Sequence, residues 1–433
     1  FNKKVRIKRE DSYSSLSDLS NAQYIPRTSI DVNSSIEKFT SNVINYNSQS
    51  NAVYTGAEDL NISIGSELKT KEFSDLISGL LGKSFAYGFY PFSTSCSLVI
   101  EDDFNYRITR FYGSFIRSGV KINEVLYLDG ANLPPENKNI NLVVTHVSDF
   151  YILVEPLADA NIQPQTDLMT TFTSRGVTLN TSNSGKQASF TVEVLQEDQT
   201  IISSVYDGCI VESLQIDINQ GFPSVGFSLQ GRGLKQRTNT PYFSSYVQQG
   251  GVNVLGCHGV VYIDNRKEAI RDASITISRA GTKLNNIKDS QSSNILQEQI
   301  QVQVNVNGYA LDDYLFNKYN NAQNVSVTFV LSDNPDVRNL LWNDAYVWED
   351  AAIWRDSPIQ DGDPLQNFFR VTLPNCSVST FKEDDSSKIV YSASMNALYL
   401  DKHGSVIIQE TRPEVSLIWD DTYMWDDLFV WND

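Results

Sequence analysis

The stretch that decides the fold class spans residues 299–306 and reads Gln-Ile-Gln-Val-Gln-Val-Asn-Val. Every second residue is apolar, and the residues between them carry amide side chains. Neighbouring side chains of a β-strand point to opposite faces of the sheet, so this order predicts a strand with one apolar and one polar face. A shift of one residue would exchange the faces, and the pattern therefore fixes the register. We expect the polar face to meet water or a polar channel; it consists of Gln299, Gln301, Gln303 and Asn305.

The same alternation recurs along most of the chain. Five further stretches show it, at residues 189–195, 210–218, 225–230, 273–278 and 325–332. Their polar positions favour Ser, Thr, Asn and Gln over Lys, and the period of two is typical of strands with one solvated face. Two short segments instead have apolar residues at helical spacing. They predict one helix around residues 73–81 and a second around residues 311–316.

The order of these segments indicates an internal duplication. Each half has strands, a short helix and further strands, and a cysteine, Cys209 or Cys376, begins a late strand of each half. Short strands and tight turns between them predict a small inserted β-barrel. The expected fold class is mainly β, with two β-sandwich or barrel modules, each with a short helix. The predicted parts are a first module over 1–103 and 175–245, the inserted β domain over 104–174, a second module over 246–410 with a long Trp-rich loop at 338–366, and a Trp-rich C-terminal segment over 411–433.

Composition and charge exclude several classes of protein. The 433 residues carry 52 acidic and 34 basic side chains, for a formal net charge of −18 at pH 7. That sign is wrong for a protein that grips nucleic-acid phosphates. No apolar run approaches the roughly 18 to 20 residues that cross a bilayer, so we expect no membrane span. The basic N-terminus lacks the apolar core of a signal peptide and predicts synthesis in the cytoplasm.

Residue types that carry chemistry are scattered along the chain. The four cysteines lie far apart, and the three histidines form no pair with metal-ligand spacing. The one adjacent pair, Cys257 and His258, would point to opposite faces of a strand and could not share a catalytic task. We therefore predict no catalytic residue, no metal site and no cofactor, in a protein that is not an enzyme.

All six tryptophans lie in two short repeats that align with each other. Within each repeat the indoles are six residues apart, a spacing that puts all three on one side of an extended chain. Three interpretations stay open: aromatic packing within the chain, a contact between subunits, or a ligand surface. We expect both segments to lie outside any channel. The candidate intersubunit aromatic residues are Trp342, Trp348, Trp354, Trp419, Trp425 and Trp431.

Several elements, taken in order, carry a resemblance to a known protein family. They are Ser189-Phe190-Thr191-Val192-Glu193, Tyr206-Asp207-Gly208-Cys209-Ile210-Val211-Glu212-Ser213-Leu214 and Gly226-Phe227-Ser228-Leu229-Gln230-Gly231 in the first half, and Gly259-Val260-Val261-Tyr262-Ile263-Asp264, the 299–306 strand with Gly308, Tyr314-Leu315-Phe316 and Leu373-Pro374-Asn375-Cys376 in the second. Together these elements resemble the major tail tube protein of bacteriophages with long non-contractile tails. Residues 115–153 look like the small β insertion of that family, whereas the Trp-rich segments and the 340–365 loop depart from its pattern.

The resemblance implies a structural protein of the virion tail. In that family the strands of neighbouring modules join into a closed cylinder, with the helices outside, and chains with two modules form trimeric rings that stack into a tube. Double-stranded DNA passes through the tube during ejection without specific binding. The implied partners are other copies of the chain, together with the tape-measure, tail-terminator and distal tail proteins.

Two other classes of function stay open at the level of sequence. A carbohydrate-binding tail or adhesin module would use the clustered tryptophans to stack on sugars. A glycosidase would need two carboxylates that flank a cleft, and no spacing in the sequence selects such a pair. The amide face of residues 299–306 also has a simpler interpretation, since an exposed sheet face is commonly solvated by amides.

Overall fold

The computed structural model shows a chain built mainly of β-strands, with two α-helices in the part that it describes. The fold class expected from the sequence is confirmed. The described part covers residues 3–40, 53–86, 88–101, 105–138, 140–157, 162–182, 185–198, 200–264, 266–284, 294–309, 312–333, 367–384, 390–400 and 404–411.

The first half consists of strands, a helix, an inserted barrel and further strands. It opens with β1 (Lys3–Arg9), β2 (Ala22–Ile25), β3 (Ser29–Thr40), β4 (Val53–Glu67) and α1 (Ser74–Leu81). The barrel consists of β5 (Phe92–Ile100), β6 (Tyr106–Arg110), β7 (Val125–Asp129), β8 (Leu142–Val147), β9 (Tyr151–Pro156) and β10 (Gln165–Ser174). The strands that follow are β11 (Val177–Asn180), β12 (Ser189–Glu197), β13 (Ile201–Ile218), β14 (Ser224–Gly231), β15 (Gly233–Thr238) and β16 (Tyr246–Val247).

The described residues of the second half repeat the plan without a barrel. Before its helix lie β17 (Leu255–Ile263), β18 (Arg266–Lys267), β19 (Ile270–Ser278), β20 (Gly281–Leu284), β21 (Asn294–Gln297) and β22 (Gln301–Tyr309). The helix and the strands after it are α2 (Tyr314–Asn320), β23 (Val325–Ser332), β24 (Phe368–Asp384), β25 (Val390–Ala397) and β26 (Ile407–Glu410). Both helices lie where the helical spacing of apolar residues predicts them. Gly82 ends α1 in the left-handed region, with φ at +65°, which glycine adopts without steric cost.

The two halves share one strand order. Neighbouring strands run β1-β12-β13-β14-β4-β3 in the first half and β17-β23-β24-β25-β22-β19 in the second, and all these pairs are antiparallel. Each helix packs on the same strand of its half, α1 on β13 and α2 on β24. An irregularity in pairing also recurs, between Val211 and Ser213 in β13 and between Val378 and Thr380 in β24. These matches indicate that the halves arose from one repeated unit.

A single apolar core lies behind the sheets of both halves. β13 is 18 residues long, and its second half pairs with β19, so the sheet passes from one module into the other. Leu214 and Ile216 of β13 belong to the same buried cluster as Ile275 and Ile277 of β19. Helix α1 adds Leu80 to this cluster from the side away from solvent. The other face of the joined sheet is therefore left for polar residues.

The inserted barrel is closed, with strand order β10-β5-β6-β9-β8-β7. Its core is aromatic: the rings of Phe92 and Phe172 are stacked with centroids 5.1 Å apart, and Phe115 meets Phe172 edge-on at 5.3 Å. Strand β5 ends at Ile100, before the start at residue 104 that the sequence suggested, yet it belongs to the barrel because it pairs with the distant β10. We propose residues 92–174 as the limits of the insertion.

Polar contacts fix the barrel to the second half of the chain. The Tyr262 hydroxyl donates to Glu155 Oε2 at 2.9 Å. The side-chain amide of Gln409 accepts from the Val125 backbone N–H and donates to the Val125 carbonyl, both at 3.0 Å. Because these groups are buried, they hydrogen-bond to each other in place of water across the contact. The barrel is thus packed into the molecule and is not a loosely attached appendage.

A buried pair of opposite charges adds to this contact. Arg370 of β24 is 2% exposed, and burial lowers its pKa to about 10, although the Glu124 carboxylate opposes that change. Burial likewise raises the pKa of Glu124, which Arg370 and a hydrogen bond from the Ser174 hydroxyl oppose. Removal of either group would leave the other charge buried with less compensation.

A polar sheet face as the candidate functional site

The amide strand is present as β22, and its side chains alternate between solvent and core. Val302, Val304 and Val306 are buried, whereas Gln301, Gln303 and Asn305 are exposed. Gln299 is also exposed but precedes the strand. The alternation expected from the sequence is therefore present, and contact with a channel stays a prediction.

The amide face of β22 is one part of a much wider surface. Strand pairing carries a line of residues through Gln303 across eight strands, from β3 at one edge to β24 at the other. None of these side chains is charged and none is buried. In strand order the residues are Ser29, Gly65, Gly226, Gln215, Thr276, Gln303, Asn396 and Ser377.

The two lines of residues on either side carry acidic charge only. One line is formed by Asp31, Ser63, Ser228, Ser213, Ser278 and Gln301. The other is formed by Glu67, Ser224, Asp217, Ser274, Asn305, Ser394 and Thr380. We call these three lines together the polar sheet face. Lys and Arg do not occur in these three lines; Lys382 lies one line further along β24.

Hydrogen bonds between side chains organise this face. Gln303 Nε2 donates to Ser394 Oγ at 3.1 Å, and Gln215 Nε2 donates to the two carboxylate oxygens of Asp217 at 3.0 and 3.1 Å. Two of the five amide groups on the face, those of Gln215 and Gln303, therefore donate along the sheet, which leaves fewer of their donors directed outward. Such a surface has few hydrogen-bond donors that could bind an anion.

The sequence patterns singled out β22 but missed other strands of the face. Residues 60–65, in β4, read Leu-Asn-Ile-Ser-Ile-Gly and alternate as regularly as β22. Because Ser and Gly are small, this signal is less conspicuous than a row of Gln. The register that places Ser63 and Gly65 beside distant strands is not available from local sequence.

The remaining candidate residues do not form a site in the described part of the chain. The six candidate tryptophans lie outside the described residues. Cys96, Cys209 and Cys376 are buried, and Cys257 is exposed; burial raises the pKa of the Cys376 thiol to about 12. Within the described ranges no group of three or more His, Cys, Asp or Glu side chains could hold a metal ion, and no helix is long and apolar enough to cross a membrane.

Comparison with known families agrees with this architecture. A family model described as Phage tail tube protein matches residues 1–359. The chain belongs to the phage tail tube protein family. No curated protein matches the chain. Membership of this family makes the protein a structural component of the phage tail tube, and the family implies self-assembly into that tube.

Proposed function

We propose that copies of this protein form closed rings that stack into a tube, and that the polar sheet face lines a channel for double-stranded DNA. The observation that carries the proposal is the absence of Lys and Arg from three adjoining lines of residues that cross six to eight paired strands. A solvated outer surface commonly mixes charges of both signs. This face contains amides, hydroxyls, glycines and carboxylates.

DNA must be able to move through the proposed channel. Each Lys or Arg that contacts a phosphate adds a salt-dependent attraction, and several such contacts change affinity by orders of magnitude. A conduit in which DNA must move therefore benefits from walls that make no such contacts. The net charge of −18 acts in the same direction over longer distances at low salt.

The number of copies in a ring rests on the resemblance to two-module tail tube proteins, which implies trimers. Two modules joined in one sheet already supply two units of a circular wall. The helices and the apolar core lie behind the sheet, so a channel-facing sheet puts them on the outside. We further propose assembly in the host cytoplasm, with the tape-measure, tail-terminator and distal tail proteins as partners.

Charge reversal on the channel wall tests the proposal. We expect the double variant Gln301→Lys with Gln303→Lys to assemble, because both side chains are exposed, but to slow DNA ejection at low salt. The matched control is Asn317→Lys with Asn320→Lys, which adds the same charge on the exposed surface of α2, behind the sheet. Tube formation is followed by negative-stain microscopy, and ejection by the rate of DNA release at several salt concentrations.

The proposal is supported if DNA release at low salt is slower in the Gln301→Lys, Gln303→Lys variant than in the α2 control. If both variants release DNA at the wild-type rate at every salt concentration, the polar sheet face does not line the channel.

A further inference from the structure

The joint between the two modules is an ordinary antiparallel strand pair. The second half of β13 pairs with β19, from Ser213 opposite Ser278 to Ile218 opposite Ala273. Gln215 lies opposite Thr276 in the middle of this pair, on the polar sheet face. The joint therefore continues both the polar face and the core behind it.

Each strand of this joint has a counterpart in the other module. β24 repeats β13, and the shared irregularity in pairing makes Thr380 the counterpart of Ser213 and Lys382 that of Gln215. β3 repeats β19, since both are the outer partners of equivalent strands, β4 and β22. Alignment through those partners makes Asn33 the counterpart of Thr276.

These two counterpart strands form the open edges of the joined sheet. Among the described residues, β3 pairs only with β4, and residues 380–384 of β24 pair only with β25. They lie at opposite ends of the strand order β3-β4-β14-β13-β19-β22-β25-β24. A long edge strand presents unpaired N–H and C=O groups and is a template for pairing with another chain. One molecule thus carries both edges that a closed ring needs.

We propose that the β24 edge of one copy pairs with β3 of a second copy in the register of the β13–β19 joint. Thr380 then lies opposite Ser35 and Lys382 opposite Asn33. The proposal rests on the ring assembly proposed above and names the surfaces that join its subunits. It also places Lys382 diagonally across from Asp31, within reach of a long side chain, and Asp384 directly opposite Asp31, so the contact combines one pair of opposite charges with one pair of like charges.

Exposed aromatic residues beside the β24 edge agree with this partner. Phe381 lies on the core side of β24, and the rings of Phe316 and Tyr319 of α2 contact it with centroid distances of 5.7 and 6.3 Å. Phe316 and Tyr319 are each 38% exposed. The equivalent edge of the first module, in β13, is paired with β19, so β3 of a second copy would lie beside this cluster.

The core side of the open edge also carries a carboxylate. Glu383 is exposed and occupies the position that Ile216 fills in the first module. Charged residues that point to the core side of an edge strand hinder pairing with wrong partners. The contact between copies is therefore less apolar than the joint within the chain, and a lone chain keeps a protected edge.

Cysteine cross-linking tests the register. In a Cys257→Ser background, we expect Lys382→Cys with Asn33→Cys to form disulfides between copies on mild oxidation, because directly opposite residues have the required Cα separation. On non-reducing gels the products are dimers and higher species. Gln215→Cys with Thr276→Cys, at the equivalent positions of the internal joint, should instead give a cross-linked monomer. Both pairs use positions that are not buried, so the chains should fold.

A third variant controls for disulfides that form without the proposed register. Lys382→Cys with Ser29→Cys keeps the same strands and face but separates the thiols by four residues along β3, about 13 Å, which is too far for a disulfide. It should stay uncross-linked. Rings in negative stain without the Lys382–Asn33 cross-link would overturn this pairing and leave the proposed function intact. A folded chain that forms neither rings nor cross-links would overturn both.

Discussion

The two modules share a strand order, but their helices have different surroundings. Helix α1 is buried over almost its whole length, whereas Leu315 is the single buried residue of α2. The first helix is covered by the second half of the same chain: Glu410, at the end of β26, accepts hydrogen bonds from the Lys71 backbone N–H and the Ser74 hydroxyl. The helix of the first module is therefore covered within the chain, while the helix of the second module keeps an exposed surface suited to a second copy.

Truncation of the two helices should give the largest contrast. Leu80→Ala in α1 removes a fully buried side chain, and we expect it to lower the free energy of unfolding by about 2–5 kcal/mol. Phe316→Ala in α2 removes a ring that is 38% exposed, and should cost about 1 kcal/mol in the unassembled chain. Urea denaturation at protein concentrations below assembly measures both. Equal costs would show that α2 is as much a part of the monomer core as α1.

Loss of the contact from β26 should have an intermediate effect. Glu410→Ala leaves the Lys71 N–H without its acceptor in a part-buried setting and removes an acceptor of the buried Ser74 hydroxyl, at a cost of about 1–3 kcal/mol. The control is Asn239→Ala, because pairing places Asn239 just beyond β15 at the position that Glu410 holds in β26, and it is exposed. Thermal unfolding compares the two variants. A stability loss from Asn239→Ala as large as that from Glu410→Ala would remove the asymmetry between the modules.

The anchor of α2 should give a smaller, pH-dependent effect. The anchor is Asp264. Burial raises the pKa of its carboxyl group, but hydrogen bonds from the Ser326 N–H, the Tyr314 hydroxyl and Lys318 outweigh burial and lower the pKa below its ordinary value of 3.8. The stabilisation is therefore complete above about pH 4 and is lost as the pH falls through the lowered pKa. Asp264→Asn should cost about 1 kcal/mol at pH 7 and progressively less in acid.

The control for this anchor is Asp313→Asn, since the Asp313 side chain makes no capping hydrogen bond with α2. Unfolding free energies measured between pH 3 and pH 7 give the comparison. A cost for Asp264→Asn that stays constant over this range would contradict an ionised anchor.

Local sequence accounts for much of the fold. The period of two predicted the strands around Val304 and Ile216 and the exposure of Gln303, because burial on one face imposes that period. Helical spacing of Leu76, Ile77 and Leu80 predicted α1. The order of these elements then indicated the duplication, which the strand pairing repeats.

Long-range pairing accounts for what the sequence did not reveal. The Glu410 contact with α1 joins residues far apart in the chain, and no local pattern marks it. For the same reason β5 seemed part of the first module, although it closes the barrel against β10. The width of the polar sheet face depends on register, so the sequence did not show that Ser63 and Ser228 lie beside each other on it.

Electron cryomicroscopy of assembled tubes, at a resolution that separates strands, would show both the strand pairing between copies and the face that lines the channel. We expect rings in which the sheet is continuous through β24 of one copy and β3 of the next. We also expect Gln303 and Gln215 to point into the channel and both helices to lie outside. A ring in which these strands stay unpaired, or in which the polar sheet face is directed away from the axis, would contradict this arrangement.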